Sequence, residues 1–452
     1  MTAKDNAFEV GQSRIGLMID GLKETPRVAV KLERHEDGIE LTVPFLDGPD
    51  DPYSYWFSSG IMFGDDPNRT KRRYEPPASL SYYDAAGKVG LVGSRMSGAR
   101  RVMGGMGIGE GRLRFDYTVL GAMSGPAFER INGLRSEIEG LGTWVGLRSL
   151  RAERTVEDGR VKAVDFKLES PPNIRVSRRM NAEFRANWRY GQGVAPDETT
   201  ISERLQIQTE VKRPVDWDSH LKIHFSIRNL LRVVAWRPLK FASHEAMSAV
   251  DGIRTMDGKK HGDVWLDGLT RRTDLLEGAP TKLRLNDFLF GFSDVGARGV
   301  GRWLRLVERF ERGLSPLIGL LDLEGASIEA YIAQVGIGFE MLGHDLLEEA
   351  GASKTQIAKK SYADLVTVVA DSVSAVLPFP GKDFSERLRR TYVGTKHANR
   401  VRPDLDDALV AYLQAIQVVR AWVGVRLGVQ EERLRQALAN DSRSRRITEL
   451  LD

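Results

Sequence analysis

Cysteine is absent from all 452 residues. That excludes a disulfide framework, a thiolate nucleophile, an iron–sulfur cluster and Cys-based zinc sites, and it fits a reducing compartment. No Walker loop, HExxH, Ser–His–Asp grouping or paired-carboxylate motif stands out. No run approaches the roughly 18–20 apolar residues that span a bilayer. Met1 to Gln12 is polar and lacks the basic and apolar regions of a signal peptide. A soluble, cytoplasmic protein with no membrane partner is expected. Charge of one sign is missing too: 66 Lys plus Arg against 62 Asp plus Glu leave +4, so only local clustering could argue for a nucleic-acid partner. A 41% hydrophobic and 28% charged composition excludes wholesale disorder. The length suggests roughly two or three domains.

Period-2 alternation and turn dipeptides dominate to about residue 212. Val28, Val30 and Leu32 share one strand face, and Ile39, Leu41 and Val43 follow Asp37-Gly38 as the second arm of a hairpin. A second hairpin is expected around Asp158-Gly159, with Val161, Val164, Phe166 and Leu168 beyond it. Further strands are expected over 112–119, 174–188 and 201–211. Asp47 to Pro77 reads as a long loop, and Ser94 to Gly111 as a mobile one. Helical spacing begins after Pro214, and short strands and turns return over 240–292. From about 299 the chain is helical, with one stripe from Trp303 to Leu321 and another from Ile328 to Leu346. A third helix is expected over 355–376, ended by Pro378-Phe379-Pro380-Gly381. A fourth begins near Asp383, and a fifth is capped by Asp404 and closed by Gly428. The last residues, from Asn440 on, read as a frayed tail. The expected fold class is α+β multidomain: a flexible N-terminus over 1–12, an antiparallel β-rich sandwich or open barrel-like domain over 13–295, and a helical bundle over 296–452.

The richest local feature is Lys382 to Arg402, which holds seven basic residues, two acids and His397. A solvated basic helix face is the plain reading. An imidazole, however, exchanges protons near neutral pH, and an arginine forks onto phosphate oxygens. Together, without a metal, they form a minimal set for RNA cleavage by the neighbouring 2′-hydroxyl. Arg390 and His397 stand seven residues apart. On a continuous helix they share a face but lie about 10 Å apart along the axis. Either the helix ends or bends at Gly394, or a second copy of the chain supplies a facing pair.

Arg390-(six residues)-His397 matches the Arg-x4–6-His signature of HEPN domains. The string from Arg390 through Tyr392-Val393-Gly394-Thr395-Lys396-His397-Ala398-Asn399-Arg400 to Pro403-Asp404 resembles the corresponding region of ApeA-like HEPN proteins. The Trp303 helix and Gly338-Phe339-Glu340-Met341-Leu342 resemble that family's C-terminal half. The resemblance covers most of the chain and implies a β-rich ApeA N-terminal domain that senses or regulates, then a HEPN bundle. It implies a homodimer, or a higher oligomer, with the two motifs facing each other. The implied activity is a metal-independent, cofactor-free endoribonuclease (a hydrolase of antiviral defence by abortive infection) cutting RNA, with tRNA the expected target. A phage-derived activator would act at the N-terminal domain. The implied catalytic residues are Arg390 and His397. Lys396, Asn399, Arg400 and Arg389 would bind RNA, with Thr391 and Glu340 in supporting places. Thr391 stands where the family usually has Asn, Asp or His.

Other candidates carry less. His220 and His224 have i, i+4 metal-ligand spacing but lack the intervening Glu, and read as structural or surface histidines. Gly104 to Gly111 is followed by a strand pattern, not the helix that phosphate cradling needs. Glu340 and His344 read as a surface ion pair, or as close helix packing beside Gly336 and Gly343. Tyr53, Tyr55, Trp56 and Phe57 either anchor a loop or present a recognition surface. Two alternatives to the nuclease remain: a non-catalytic module binding RNA or protein, and a ligand- or glycan-binding β-domain that the bundle only dimerises.

Overall fold

The computed structural model describes residues 6–452 save 22–24, 47, 49, 59–64, 102–106, 193–197, 272–274, 277 and 279. Among these residues fourteen strands join into one open antiparallel sheet, in the order Ile174–Arg175, Glu183–Gln192, Thr199–Val215, Ile131–Ile138, Phe241–Met247, Leu266–Thr270, Tyr117–Leu120, Lys88–Val92, Ser79–Tyr83, Ser13–Ile19, Val28–His35, Gly38–Leu46, Ile108–Phe115 and Arg95–Arg101. The first expected hairpin is there, with His35 opposite Gly38. Its second arm buries Ile39, Leu41, Val43 and Phe45 in alternation. The second hairpin pairs Leu150–Glu157 with Arg160–Leu168 as a separate two-stranded sheet. Both of its turn residues, Asp158 and Gly159, have positive φ, the twist that a two-residue turn requires.

The expected loop over 94–111 is instead largely hairpin. Arg95–Arg101 pairs with Ile108–Phe115, and the turn residues 102–106 lie outside the described ones. The alternation was hidden because its buried positions begin with glycines. A Cβ at Gly109 would overlap the Phe45 ring, and one at Gly111 the Phe57 ring. These glycines make room for aromatic rings and do not form a phosphate loop. The segment 47–77, read as a loop, contains helix α1 (Pro52–Trp56), capped by Asp51. It inserts Tyr53 and Trp56, with Phe57, into the core under the sheet, so these aromatics anchor the segment.

Helix α2 (Leu141–Val145) is short, and α3 (Trp217–Ala235) packs on the sheet. The helical region comprises α4 (Phe292–Arg309), α5 (Glu311–Gly319), α6 (Ile328–Glu349), α7 (Lys354–Ile357), α8 (Tyr362–Asp371), α9 (Gly381–Lys396), α10 (Leu405–Leu427), α11 (Glu431–Asn440) and α12 (Ser442–Leu451). The helix expected over 355–376 is thus two, because Ser361 opens α8 with a reciprocal capping box to Asp364. The tail expected to fray from Asn440 on is helical: α12 buries Ser444 and Ile447. Gly313 and Gly338 let α5 and α6 approach closely, since a Cβ on either would press on Leu342 or Leu317. α10 is long and apolar enough to cross a membrane by length and composition, yet 78% of its most apolar window is buried inside the protein. It also carries buried Gln414, Gln417 and Arg420, which marks it as the central helix of the bundle.

The 295/296 boundary falls within α4, beside Gly296, its residue with non-helical angles. One buried cluster runs from Ile138 on the sheet through α3 to Leu438. Trp303 of α4 is fully buried and its indole donates to the Ser226 carbonyl of α3 at 2.6 Å. Arg420 of α10 donates to the Val234 carbonyl near the end of α3 at 2.9 Å.

Candidate functional site

α9 and α10 pack against each other and are joined by residues 397–404. α9 buries Phe384, Leu388, Thr391 and Tyr392, an i, i+4, i+7, i+8 stripe that leaves Arg390 on the open side. α10 opens with Asp404 as N-cap, whose carboxylate accepts from the Asp406 amide at 3.0 Å and the Asp407 amide at 3.4 Å. That brings Asp407 level with the arginines of α9. Arg390 donates through Nη2 to Asp407 Oδ2 at 2.7 Å. Arg387 donates to Oδ1 at 3.4 Å and to Gln414 Oε1 at 3.0 Å. The Arg390 side chain remains 57% exposed, and with one donor spent on Asp407 its other N–H groups are open to an anion. Sequence reasoning missed Asp407. The signal was the acidic first turn of α10 following a short connection from a basic helix.

α9 does not break at Gly394. It runs to Lys396, and His397 caps it in extended geometry, its amide donating to the Val393 carbonyl at 3.1 Å. Gly394 is needed for a different reason: a Cβ there would lie 2.7 Å from the Val401 carbonyl oxygen and 3.1 Å from Pro403, where the connection crosses the helix. Arg390 and His397 therefore stay about two turns, roughly 10 Å, apart along the axis. Among the described residues no hydrogen bond joins them. Both are exposed. Lys396, Asn399 and Arg400 are exposed beside His397, with the Lys396 ammonium 5.4 Å from the Tyr392 ring centroid. Arg389 pairs with Glu386 at 2.9 Å, and Arg402 with Glu329. Four of the seven basic residues of this stretch thus pair with three carboxylates, Arg387 and Arg390 sharing Asp407, while Lys382, Lys396 and Arg400 make no ion pair among the described residues.

The two supporting candidates lie elsewhere. Thr391 is fully buried, and its hydroxyl donates to the Arg387 and Leu388 carbonyls at 3.0 and 3.1 Å. It faces the core because it sits one residue beyond Arg390, about 100° around the helix, and so cannot reach a substrate. Glu340 is half-buried on α6 near the Tyr362 and Tyr392 rings, which are tilted by 31° with centroids 4.7 Å apart. Burial, with Tyr392 and Glu340 nearby, holds the Tyr362 phenol well above its ordinary range. Gly336 admits the Tyr392 ring, and Gly343 admits the Leu365 backbone, so the small residues of α6 serve close packing. His344 faces Asp345 at 3.5 Å and not Glu340. The ligand atoms of His344, Asp345 and Glu348 lie within 4.8 Å of one another, and Glu348 is engaged by Arg309 at 3.3 Å.

His220 and His224 are structural and buried, joined by His244 in one network. Ser136 Oγ meets His224 Nδ1 at 2.6 Å and His244 Nδ1 at 2.7 Å; Thr209 Oγ1 meets His220 Nδ1 at 2.8 Å and His224 Nε2 at 2.9 Å. Burial lowers the His220 pKa to about 4 and the His244 pKa to about 3, and pushes His224 well below its ordinary value. These imidazoles are neutral links between α3 and the sheet. The spacing that resembled a metal pair is the spacing of one buried helix face.

Among curated proteins and among solved structures, none matches the chain. A family described as ApeA N-terminal domain 1 matches residues 21–303, more than half of the chain, and ends inside α4 just as the helical region begins. The match spans the sheet apart from Ser13–Ile19, together with α3 and the first turns of α4, and the chain belongs to the ApeA family.

Proposed function

We propose that the chain is an ApeA-like anti-phage defence protein whose residues 296–452 form a HEPN endoribonuclease acting as a homodimer. Residues 13–295 are the sensing and regulatory part, and a phage-derived activator acts there. The observation that carries the reading is the placement of Arg390 and His397, both exposed at one end of α9 but about two turns apart, with Arg390 held by Asp407. A gap of that size suits a composite site in which a second copy brings its own pair across the cleft. His397 takes the proton of a ribose 2′-hydroxyl, whose oxygen attacks the adjacent phosphorus. The bond to the 5′ oxygen breaks as that oxygen takes a proton from solvent, to which His397 returns its own, leaving a 2′,3′-cyclic phosphate and a 5′-hydroxyl. Arg390 stabilises the charge that builds on the phosphate oxygens. No step needs a metal. Lys396, Asn399 and Arg400 hold the RNA backbone beside His397, and tRNA is the proposed target.

The test is to express wild type, Arg390→Ala and His397→Ala in a bacterial host, uninfected and during phage infection, and to map RNA ends. Discrete cuts bearing cyclic phosphate, lost in both variants, are expected. Cuts that persist in His397→Ala would overturn the assignment. RNA binding without any cleavage in either condition would favour a non-catalytic binding module.

A further inference from the structure

A cleft of ≈ 480 Å³ opens where the end of α3 meets the last two helices. Its lining carries five arginines, Arg237, Arg420, Arg433, Arg443 and Arg445, against two acids, Asp287 and Asp441, a surplus of three positive charges. The acids are already used. Asp441 accepts from Arg420 at 2.6 Å and from Arg443 at 3.4 Å, and Asp287 faces Arg237 at 3.5 Å. Arg433 and Arg445 are exposed and make no ion pair among the described residues. Arg420 is only 2% exposed, and its Nε is buried with no hydrogen-bond partner among the described residues. The two carboxylates are shared among Arg237, Arg420 and Arg443, so a surplus of like charge is brought together here at a cost that they offset only in part. A surface helix face would scatter such arginines into water, whereas these converge on one concavity.

We infer that this cleft is a binding site for a small molecule bearing two or more linked phosphates, of the di- or triphosphate class. Guanidinium forks match phosphate oxygens, and a triphosphate carries enough charge to balance the surplus. The concave, bounded shape favours a compact ligand over an RNA strand, which needs an extended track with stacking rings. The site is separate from the α9 end of the bundle. Asp407 and Arg420 are thirteen residues apart on α10, roughly 20 Å along the helix. A ligand here would clamp α3 of the family domain to α11 and α12 of the helical region.

Calorimetry on the full chain at about 150 mM salt tests this, with inorganic tripolyphosphate, a nucleoside triphosphate, orthophosphate and a short single-stranded RNA as probes. Tripolyphosphate or the nucleoside triphosphate is expected to bind saturably, orthophosphate far more weakly. A tighter nucleoside triphosphate would place a base or sugar in the cleft, and equal binding would mean that phosphates alone are read. Arg433→Ala with Arg445→Ala is expected to weaken binding by about a hundredfold while the ligand-free melting temperature stays unchanged, because both side chains are exposed and make no ion pair among the described residues. No saturable binding of either triphosphate, or unchanged affinity in the double variant, would overturn the inference. So would RNA binding that the double variant abolishes while neither triphosphate binds.

Discussion

Asp407 is the residue on which the proposed chemistry most depends without touching substrate. It fixes Arg390 through one oxygen and Arg387 through the other. Asp407→Asn keeps the size but loses the charge, and should lower RNA cleavage roughly tenfold or more by releasing Arg390 from its pose. Stability should fall only by the ~0.3–1 kcal/mol of a lost helix-N-terminal charge. Asp407→Glu should restore part of the rate, which a purely structural role would not predict. Gly394 makes a contrasting case. A methyl there meets a backbone carbonyl that cannot move aside, so Gly394→Ala should cost about 1–3 kcal/mol in urea unfolding. Neither residue's role was legible from the motif. Arg390 and His397 were legible as a spaced pair, but Asp407 and the carbonyl over Gly394 come from residues that folding brings alongside.

Among the elements, α3 makes the most specific demand on pH. Its His220 and His224, with His244 from the sheet, are buried and neutral, with pKa values lowered to about 4 for His220 and about 3 for His244. In the unfolded chain the same imidazoles protonate near 6.5. Between those limits the unfolded state binds more protons, so stability is full above about pH 6.5 and falls as pH drops toward 4 and then 3. The expected slope is up to roughly 1.4 kcal/mol per pH unit for each histidine. Denaturant unfolding at pH 7.5, 6 and 5 measures it. His244→Phe, which removes one titrating group, should flatten the slope even if its stability at pH 7.5 is lower. The i, i+4 spacing was visible in the sequence, but Ser136, Thr209 and His244 are far from it in the chain and identify the pair as structural only once the sheet has formed.

For the whole molecule, the continuous core from Ile138 to Leu438 argues against independent halves. The family match ends at 303, yet Trp303 on α4 belongs to a buried cluster that continues into the helices beyond that point. A fragment ending at residue 303 should therefore aggregate or lack a cooperative transition, and the full chain should unfold with coincident fluorescence and circular-dichroism transitions. Arg420 carries the same argument in one side chain. It joins Val234 of α3 to Asp441 at the start of α12, with burial lowering its pKa to about 10. Arg420→Ala leaves Asp441 without its strongest partner and should destabilise the chain by about 3–5 kcal/mol in chemical denaturation.

What the sequence by itself determined is the part encoded locally: the β-rich half followed by helices, both hairpins, the Asp404 and Gly428 caps, and the Arg390–His397 pair. Periodicity, turn chemistry and capping act over a few residues, so they can be read in a line. Tertiary structure alone decided what depends on distant neighbours. It turned a glycine-rich segment into a strand by packing Phe45 and Phe57 over Gly109 and Gly111. It carried α9 straight through Gly394, held Arg390 on Asp407, and gathered five arginines from the turn after α3 and from α10, α11 and α12 around one cleft. Each of these is set by which surfaces meet across the core, information that a residue's own neighbours in sequence do not contain.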